Sequence, residues 1–202
     1  MAELKDKHWW AKWDRAAGKF DFMNRGVELR FGKDKQEWFS RAKGLTLLVA
    51  VGTGLDLPYF TKDHSLVGID ISKNMLRIAA KKCEGRKNTK LIQVDVETLS
   101  FADNSFDSIV TSCTFCSVPD PVQGLKELYR VLKPGGKMYM FEHVQSNIFW
   151  MAPMMDAMTL ITRHFGPELN RRTGKNVLKA GFRLTEEVNI HLDMVKLFEA
   201  EK

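Results

Sequence analysis

An α/β fold, doubly wound around a mostly parallel sheet, is what this sequence predicts, and three observations predict it. Short apolar runs alternate with longer helix-like stretches through the middle of the chain, the rhythm of strand–helix–strand units. A glycine-bearing turn, Gly52-Thr53-Gly54, follows the first of those runs. From Gly181 to Glu199 the pattern alternates without an intervening helix, as an antiparallel hairpin at the end of the sheet would.

The elements follow in order. Thr46–Val51 reads as the first strand and Ser65–Ile71 as the second, with Ser72 placed to cap a helix running through Glu84. Lys90–Val94 is the third strand. Ser108–Cys113 is the fourth, followed by a helix from Pro121 to Val131. Pro134-Gly135-Gly136 reads as a tight turn leading into a fifth strand, Lys137–Glu142.

Composition sets the limits. At 202 residues, 44% hydrophobic and 28% charged, the chain has the make-up of one globular domain and not of a disordered chain, a collagen or a coiled-coil rod. The net charge of +6 is uneven: residues 1–45 carry 11 basic and 7 acidic side chains, residues 46–159 carry 12 of each, and residues 160–202 carry 8 and 6. Basic ends on a neutral middle predict an anionic partner, or else ordinary solvated lysines. With no recognisable RNA-binding module, a nucleic-acid partner is not expected. Cys83, Cys113 and Cys116 form a sparse, odd set behind a first 20 residues that lack a long apolar core, so a reduced, cytoplasmic protein is expected. Cys113 and Cys116 have CxxC spacing, but without a second pair no metal is expected. The most apolar stretch, Ile148–Ile161, is interrupted by Pro153 and Asp156 and falls short of the roughly 18 residues a membrane span needs.

The chemistry-bearing positions cluster at strand ends. In Val51-Gly52-Thr53-Gly54 the glycines let backbone N–H groups approach a ligand where a Cβ would collide. Asp70 ends the second strand, where a carboxylate can accept both hydroxyls of an adenosine ribose, with Ile71 and Met75 beside it. Asp95 ends the third strand, within reach of an adenine amino group, followed by Val96; Cys113 ends the fourth. Together these positions predict an adenosine-type cofactor.

Two segments read as lipid-facing or as structural with equal justice. On a helix, Trp9, Trp13, Ala16, Ala17 and Phe20 share one face bordered by Lys5, Lys12, Arg15 and Lys19, a pattern for a membrane interface or for a lid over an active site. Met151, Met154, Met155 and Met158, with Phe149 and Trp150, suit an acyl chain or a packed core helix. Arg163, His164, Arg171 and Arg172 follow, able to hold a phosphate or to stand in solvent.

Val51-Gly52-Thr53-Gly54, Gly68-Ile69-Asp70-Ile71-Ser72, Ser105-Phe106-Asp107 and Val131-Leu132-Lys133-Pro134-Gly135-Gly136 occur in the order that resembles class I S-adenosylmethionine-dependent methyltransferases. The resemblance implies S-adenosyl-L-methionine as cofactor and a Rossmann-like sheet of seven strands with an antiparallel C-terminal hairpin. It also implies three parts of one domain: an N-terminal helix and lid over 1–45, a cofactor-binding core over 46–145, and a substrate-side insertion with the hairpin over 146–202. Glu142-His143-Val144, Asn170-Arg171-Arg172-Thr173, Asn176-Val177, Ala180-Gly181-Phe182 and Asp193-Met194-Val195-Lys196-Leu197 resemble small bacterial phosphatidylethanolamine N-methyltransferases. Phe20-Asp21-Phe22-Met23-Asn24 is similar to a segment of the ubiquinone/menaquinone C-methyltransferases.

The tail motifs cover more of the chain. The leading expectation is therefore N-methylation of the phosphatidylethanolamine headgroup by a monomer held peripherally at an anionic membrane surface on its cytoplasmic face. Quinone-precursor C-methylation is the alternative. A third expectation, a cofactor-impaired membrane-binding module, follows from two departures: Leu48 where the family has an acid, and Ala50 where it has a glycine. Glu142 and His143, at the end of the fifth strand, are the candidate acid–base residues, with Asp21 on the lid as a third. Phe20, Arg163, Arg171 and Arg172 are the candidate substrate-binding residues.

Overall fold

The apolar runs become seven strands: β1 Thr46–Val49, β2 Leu66–Asp70, β3 Thr89–Gln93, β4 Phe106–Ser112, β5 Leu132–His143, β6 Arg183–His191 and β7 Val195–Glu201. The computed structural model describes residues 9–202 apart from Arg163 and Phe165. One sheet holds all seven strands in the order β3-β2-β1-β4-β5-β7-β6. Strands β1 to β5 pair in parallel; β7 runs antiparallel to β5 and β6 antiparallel to β7. The chain winds outward from β1 in one direction to β3, then crosses back to β4. That reversal opens a crevice beyond the carboxyl ends of β1 and β4, where open α/β sheets bind ligands.

Among the described residues six α-helices surround the sheet: α1 Ala11–Ala16, α2 Phe20–Phe39, α3 Lys73–Lys82, α4 Pro121–Val131, α5 Met151–Thr162 and α6 Thr173–Lys179. The core divides across the sheet. Leu47, Val49 and Ile109 face one way, with Leu125 and Leu128 of α4 and Val177 of α6. Leu48, Val110 and Phe141 face the other, with Phe31, Trp38 and Phe39 of α2. Neighbouring residues of one strand thus serve opposite layers. Leu48 is fully buried in the α2 layer, which is why an apolar residue is accommodated at the end of β1.

Local chemistry sets the boundaries. Ser72 caps α3 by accepting a hydrogen bond from Met75 N at 3.1 Å, and Asp120 caps α4 by accepting from Gln123 N at 3.0 Å, with Pro121 in the first turn. The helix expected to reach Glu84 ends at Lys82. Pro134-Gly135-Gly136 is not a turn between elements. β5 already begins at Leu132 and passes through these residues, with its register to β4 shifting between Phe106 and Ser108. Gly135, at φ +73°, supplies the irregularity. The N-terminal helix is also broken: a short 3₁₀ turn over Ala17–Lys19 separates α1 from the 20-residue α2.

Candidate active site

The crevice is built first by backbone. After β1 the chain passes through Ala50 at φ +50° and Gly52 at φ +55°, with Gly54 at φ +83°. At Gly54 a Cβ would lie 2.7 Å from Leu57 Cδ1 and 3.4 Å from Ala79 Cα, so only glycine lets α3 approach this closely. At Gly52 the space a Cβ would occupy is bordered by the Phe20 ring edge at 3.7 Å. The open floor over Gly52 is the kind of cradle a ligand's polar tail needs.

Asp70 stands behind this turn. Its Oδ2 accepts from Gly52 N at 2.8 Å and its Oδ1 from Ser72 N at 2.8 Å. Burial raises its pKa, against the pull of those N–H groups. The carboxylate therefore ties the glycine turn to the start of α3. Ile71 is half-buried; Met75 and Val51 are buried. Asp95 accepts from Glu97 N at 2.9 Å through Oδ1, and Val96 beside it is buried.

Cys113 ends β4 at φ +48°, with its N–H donated to Phe141 O at 2.7 Å. Its side chain is open to solvent. Protein nevertheless surrounds the thiol deeply enough that burial pushes its pKa well above the ordinary value. Both hold for a group on the wall of a crevice.

Glu142 corrects an expectation. It is fully buried and accepts hydrogen bonds from Thr111 Oγ1 at 2.9 Å, Thr114 N at 3.1 Å and Phe115 N at 3.2 Å. Burial pushes its pKa up to about 7 despite these donors. It touches no opening; it is a positioning residue that holds the turn carrying Cys113. His143, next along β5, is different. Its Nδ1 is buried without a partner among the described residues, and burial lowers its pKa. The imidazole is neutral at pH 7 and able to take a proton.

The N-terminal segment lies across this crevice. Asp14 accepts from Ser72 Oγ at 2.6 Å, Asn74 N at 3.0 Å and Asn74 Nδ2 at 2.8 Å, adding a carboxylate at the N-terminus of α3. Asp21 accepts a hydrogen bond from Thr53 Oγ1 and pairs with Lys82 Nζ at 2.7 Å. Burial works to raise its pKa, but Lys82 and Thr53 outweigh it and hold the carboxyl below its usual range. Asp21 is thus a clasp and not a free base. The Trp13 ring meets the edge of Phe20 at 6.5 Å and Ala17 is buried beneath them. Within this face Phe20 borders the glycine turn.

The expected phosphate holders divide. Arg171 is engaged by the protein, its Nη2 donating to Val118 O at 3.1 Å and its Nε lying 3.1 Å from Glu168 Oε2. Arg172 is exposed and donates through Nε to Gln145 Oε1 at 2.9 Å. His164 is exposed, and Arg163 lies outside the described residues. A further group carried no signal in the sequence. Lys35 of α2 is buried, with Nζ 2.6 Å from Glu28 Oε1 and 2.5 Å from Asp56 Oδ1. Burial alone would lower the lysine's pKa, but the two carboxylates raise it overall. A lysine at a position spaced to fall inside α2, seven residues after Glu28, was the only available clue.

A sheet of this order, with a glycine turn, an acid after β2 and a reversal at β1/β4, defines a nucleotide-type cofactor fold. A family model described as a methyltransferase domain matches residues 47–140. The ubiquinone/menaquinone biosynthesis C-methyltransferase of Geotalea daltonii is 40% identical over 146 residues, covering 64% of this chain and 60% of that protein. The demethylmenaquinone methyltransferase of Listeria welshimeri is 30% identical over 159 residues, covering 73% and 67%. This chain therefore spans about three-fifths to two-thirds of the length of these relatives. Among solved structures, a possible histamine N-methyltransferase from Thermotoga maritima superposes with a TM-score of 0.73 at 19% identity, over 96% of this chain and 99% of that one. An S-adenosylmethionine-dependent methyltransferase from Aquifex aeolicus gives 0.70 at 23%, over 93% and 97%. The chain belongs to the class I S-adenosylmethionine-dependent methyltransferases, and S-adenosyl-L-methionine is its cofactor. Among the described residues no helix is long and apolar enough to cross a membrane.

Proposed function

We propose that this protein methylates a ring carbon of a quinone precursor in its reduced, phenolic form. The observation that carries this reading is the 30–40% identity to relatives named as quinone-pathway methyltransferases. The alternative weighed in the sequence, N-methylation of an aminolipid, loses two supports in the crevice. Glu142 is sealed under the Cys113 turn, and Arg171 is engaged by Val118 and Glu168.

When bound, the cofactor supplies an electrophilic methyl group on a sulfonium. We assign its ribose to Asp70, its adenine edge to Asp95 and Val96, and its tail to the floor over Gly52, with Cys113 on the wall. His143 takes the phenolic proton, which raises electron density on the ring carbon. That carbon would accept the methyl group the bound cofactor supplies, and the ring hydrogen it replaces would leave as a proton to solvent. The lid of Trp13 and Phe20 excludes water and limits the geometries the acceptor can take.

The test is transfer of a labelled methyl group to a short-chain demethylated quinol, with phosphatidylethanolamine in mixed micelles offered in parallel. Label in the quinol and none in the aminolipid is expected. Label in the aminolipid alone would overturn the assignment.

A further inference from the structure

Helix α5 is apolar on the wrong side. Met151, Met155 and Thr159 face inward at four-residue spacing, as a helix on a core should. The stripe beside it, Trp150, Met154, Met158 and Ile161, is also apolar, and all four side chains are exposed. Asp156 is the only ionisable residue of the helix, and it is held by Gln145 Nε2 at 3.0 Å and Asn170 Nδ2 at 2.9 Å. Phe149, immediately before, is 87% exposed. A stripe of this kind is covered by something in the working protein.

Helix α2 says what covers it. The outward side of its first half carries Phe22 at 82% exposure and Leu29 at 78%. Cations predominate around them: Lys19, Arg25, Arg30 and Lys33 are all exposed. Of the acids in the same stretch, Asp21 pairs with Lys82, Glu28 is held by Lys35 and Tyr59, and Asp34 is half-buried. Large apolar side chains set among an excess of cations are complementary to an apolar layer beneath an anionic surface.

The two helices flank one rim. Arg30 Nη2 lies 3.1 Å from His191 Nδ1, at the turn between β6 and β7, where Leu192 is exposed. Asp193 of that turn accepts from Asn147 N at 2.7 Å and Asn147 Nδ2 at 3.1 Å, two residues before Phe149. β7 begins opposite His143, so this rim runs beside the carboxyl end of β5 and the crevice. At 12 residues α5 is about 18 Å long, too short to span a bilayer but long enough to lie in its interface.

We infer that the outward faces of α2 and α5, joined by the β6–β7 turn, form a docking surface for an anionic phospholipid bilayer. Docking there sets the crevice opening against the lipid. The inference deepens the proposed quinol reading, since it gives a lipid-soluble acceptor a direct path, but it is tested without acceptor or cofactor.

The experiment is flotation of the intact chain with vesicles of phosphatidylcholine containing phosphatidylglycerol, and with phosphatidylcholine alone. Binding to the anionic vesicles is expected, weakened by added salt. Phe149→Ser with Trp150→Ser is expected to lower binding at least tenfold, and Arg25→Glu with Arg30→Glu about tenfold or more. Thermal unfolding followed by circular dichroism is expected to match wild type in both pairs, which separates loss of docking from loss of fold. Wild-type protein that stays unbound on anionic vesicles, or pairs of variants that bind as well as wild type, would overturn the inference. So would a concentration-dependent dimer abolished by Phe149→Ser with Trp150→Ser, which would make a second copy the occupant of the stripe.

Discussion

Asp14, on the first helix, accepts a hydrogen bond at 2.6 Å from Ser72, the capping residue of α3. One serine thus joins the lid to the helix whose start frames the cofactor turn. Its hydroxyl hydrogen goes to Asp14 while its oxygen accepts Met75 N. Asp14→Ala removes an added carboxylate at a helix N-terminus and one of the ties that hold the lid, with Asp21 and Lys12 among the others. A loss of about 0.5–1 kcal/mol is expected, which lowers Tm by roughly 1–4 °C in a chain of this size. Calorimetry checks it, and the KM for S-adenosylmethionine is expected to rise with kcat less affected.

Glu142 imposes a pH dependence on stability. Its pKa in the fold is about 7, above the 4.5 of an ordinary glutamate. Between those values the folded state holds a proton that the unfolded state has lost. The stabilisation is thus complete below pH 4.5 and is lost as the pH rises toward 7. Denaturant titrations are expected to show a decline of about 1–3 kcal/mol across that interval, and Glu142→Gln is expected to flatten it.

His143 is assigned the proton transfer. Burial lowers its pKa from 6.5, so the acid limb of kcat/KM is expected below that value. His143→Asn is expected to cut kcat about 100-fold or more, leave KM for the cofactor near wild type, and abolish that limb. A limb that persists in the variant would assign the base elsewhere.

Position 50 tests the cofactor turn. Ala50 is held at φ +50°, a left-handed conformation that costs an alanine about 1–2 kcal/mol. Ala50→Gly relieves this but frees the unfolded chain by about 0.4–1 kcal/mol. A net gain of roughly 0–1.6 kcal/mol follows from those two terms. Isothermal titration is expected to show tighter S-adenosylmethionine binding with the Cβ removed. Leu48→Asp, by contrast, places a carboxylate in the fully buried α2 layer. It is expected to destabilise the fold by about 3 kcal/mol or more without improving cofactor binding.

Much of this was legible because strand ends are legible. Alternating elements locate the carboxyl ends of β1, β2 and β3, and with them Gly52, Asp70 and Asp95, while Pro121 and Asp120 mark the start of α4. Other features were not, for physical reasons. A glutamate at a strand end reads the same whether it faces solvent or closes a neighbouring turn, so Glu142 looked catalytic. The clasp of Asp21 on Thr53 and Lys82 joins residues 32 and 61 positions apart, which no local pattern encodes. Helix α2 was hidden by Gly26, Gly32 and a buried Lys35, whose cost is offset by the distant Asp56 as well as by Glu28. The lid and membrane readings of the first helix share one pattern, and that pattern does not encode the placement of Phe20 beside Gly52.

The decisive measurement is the bond made by the transferred carbon. With S-adenosylmethionine carrying a 13C methyl group and a reduced demethylated quinone as acceptor, the product is extracted and examined by NMR for coupling of that methyl group to its neighbours. A methyl group bonded to a ring carbon is expected. One bonded to oxygen, or product found only as N-methylated aminolipid, would contradict carbon methylation at this site.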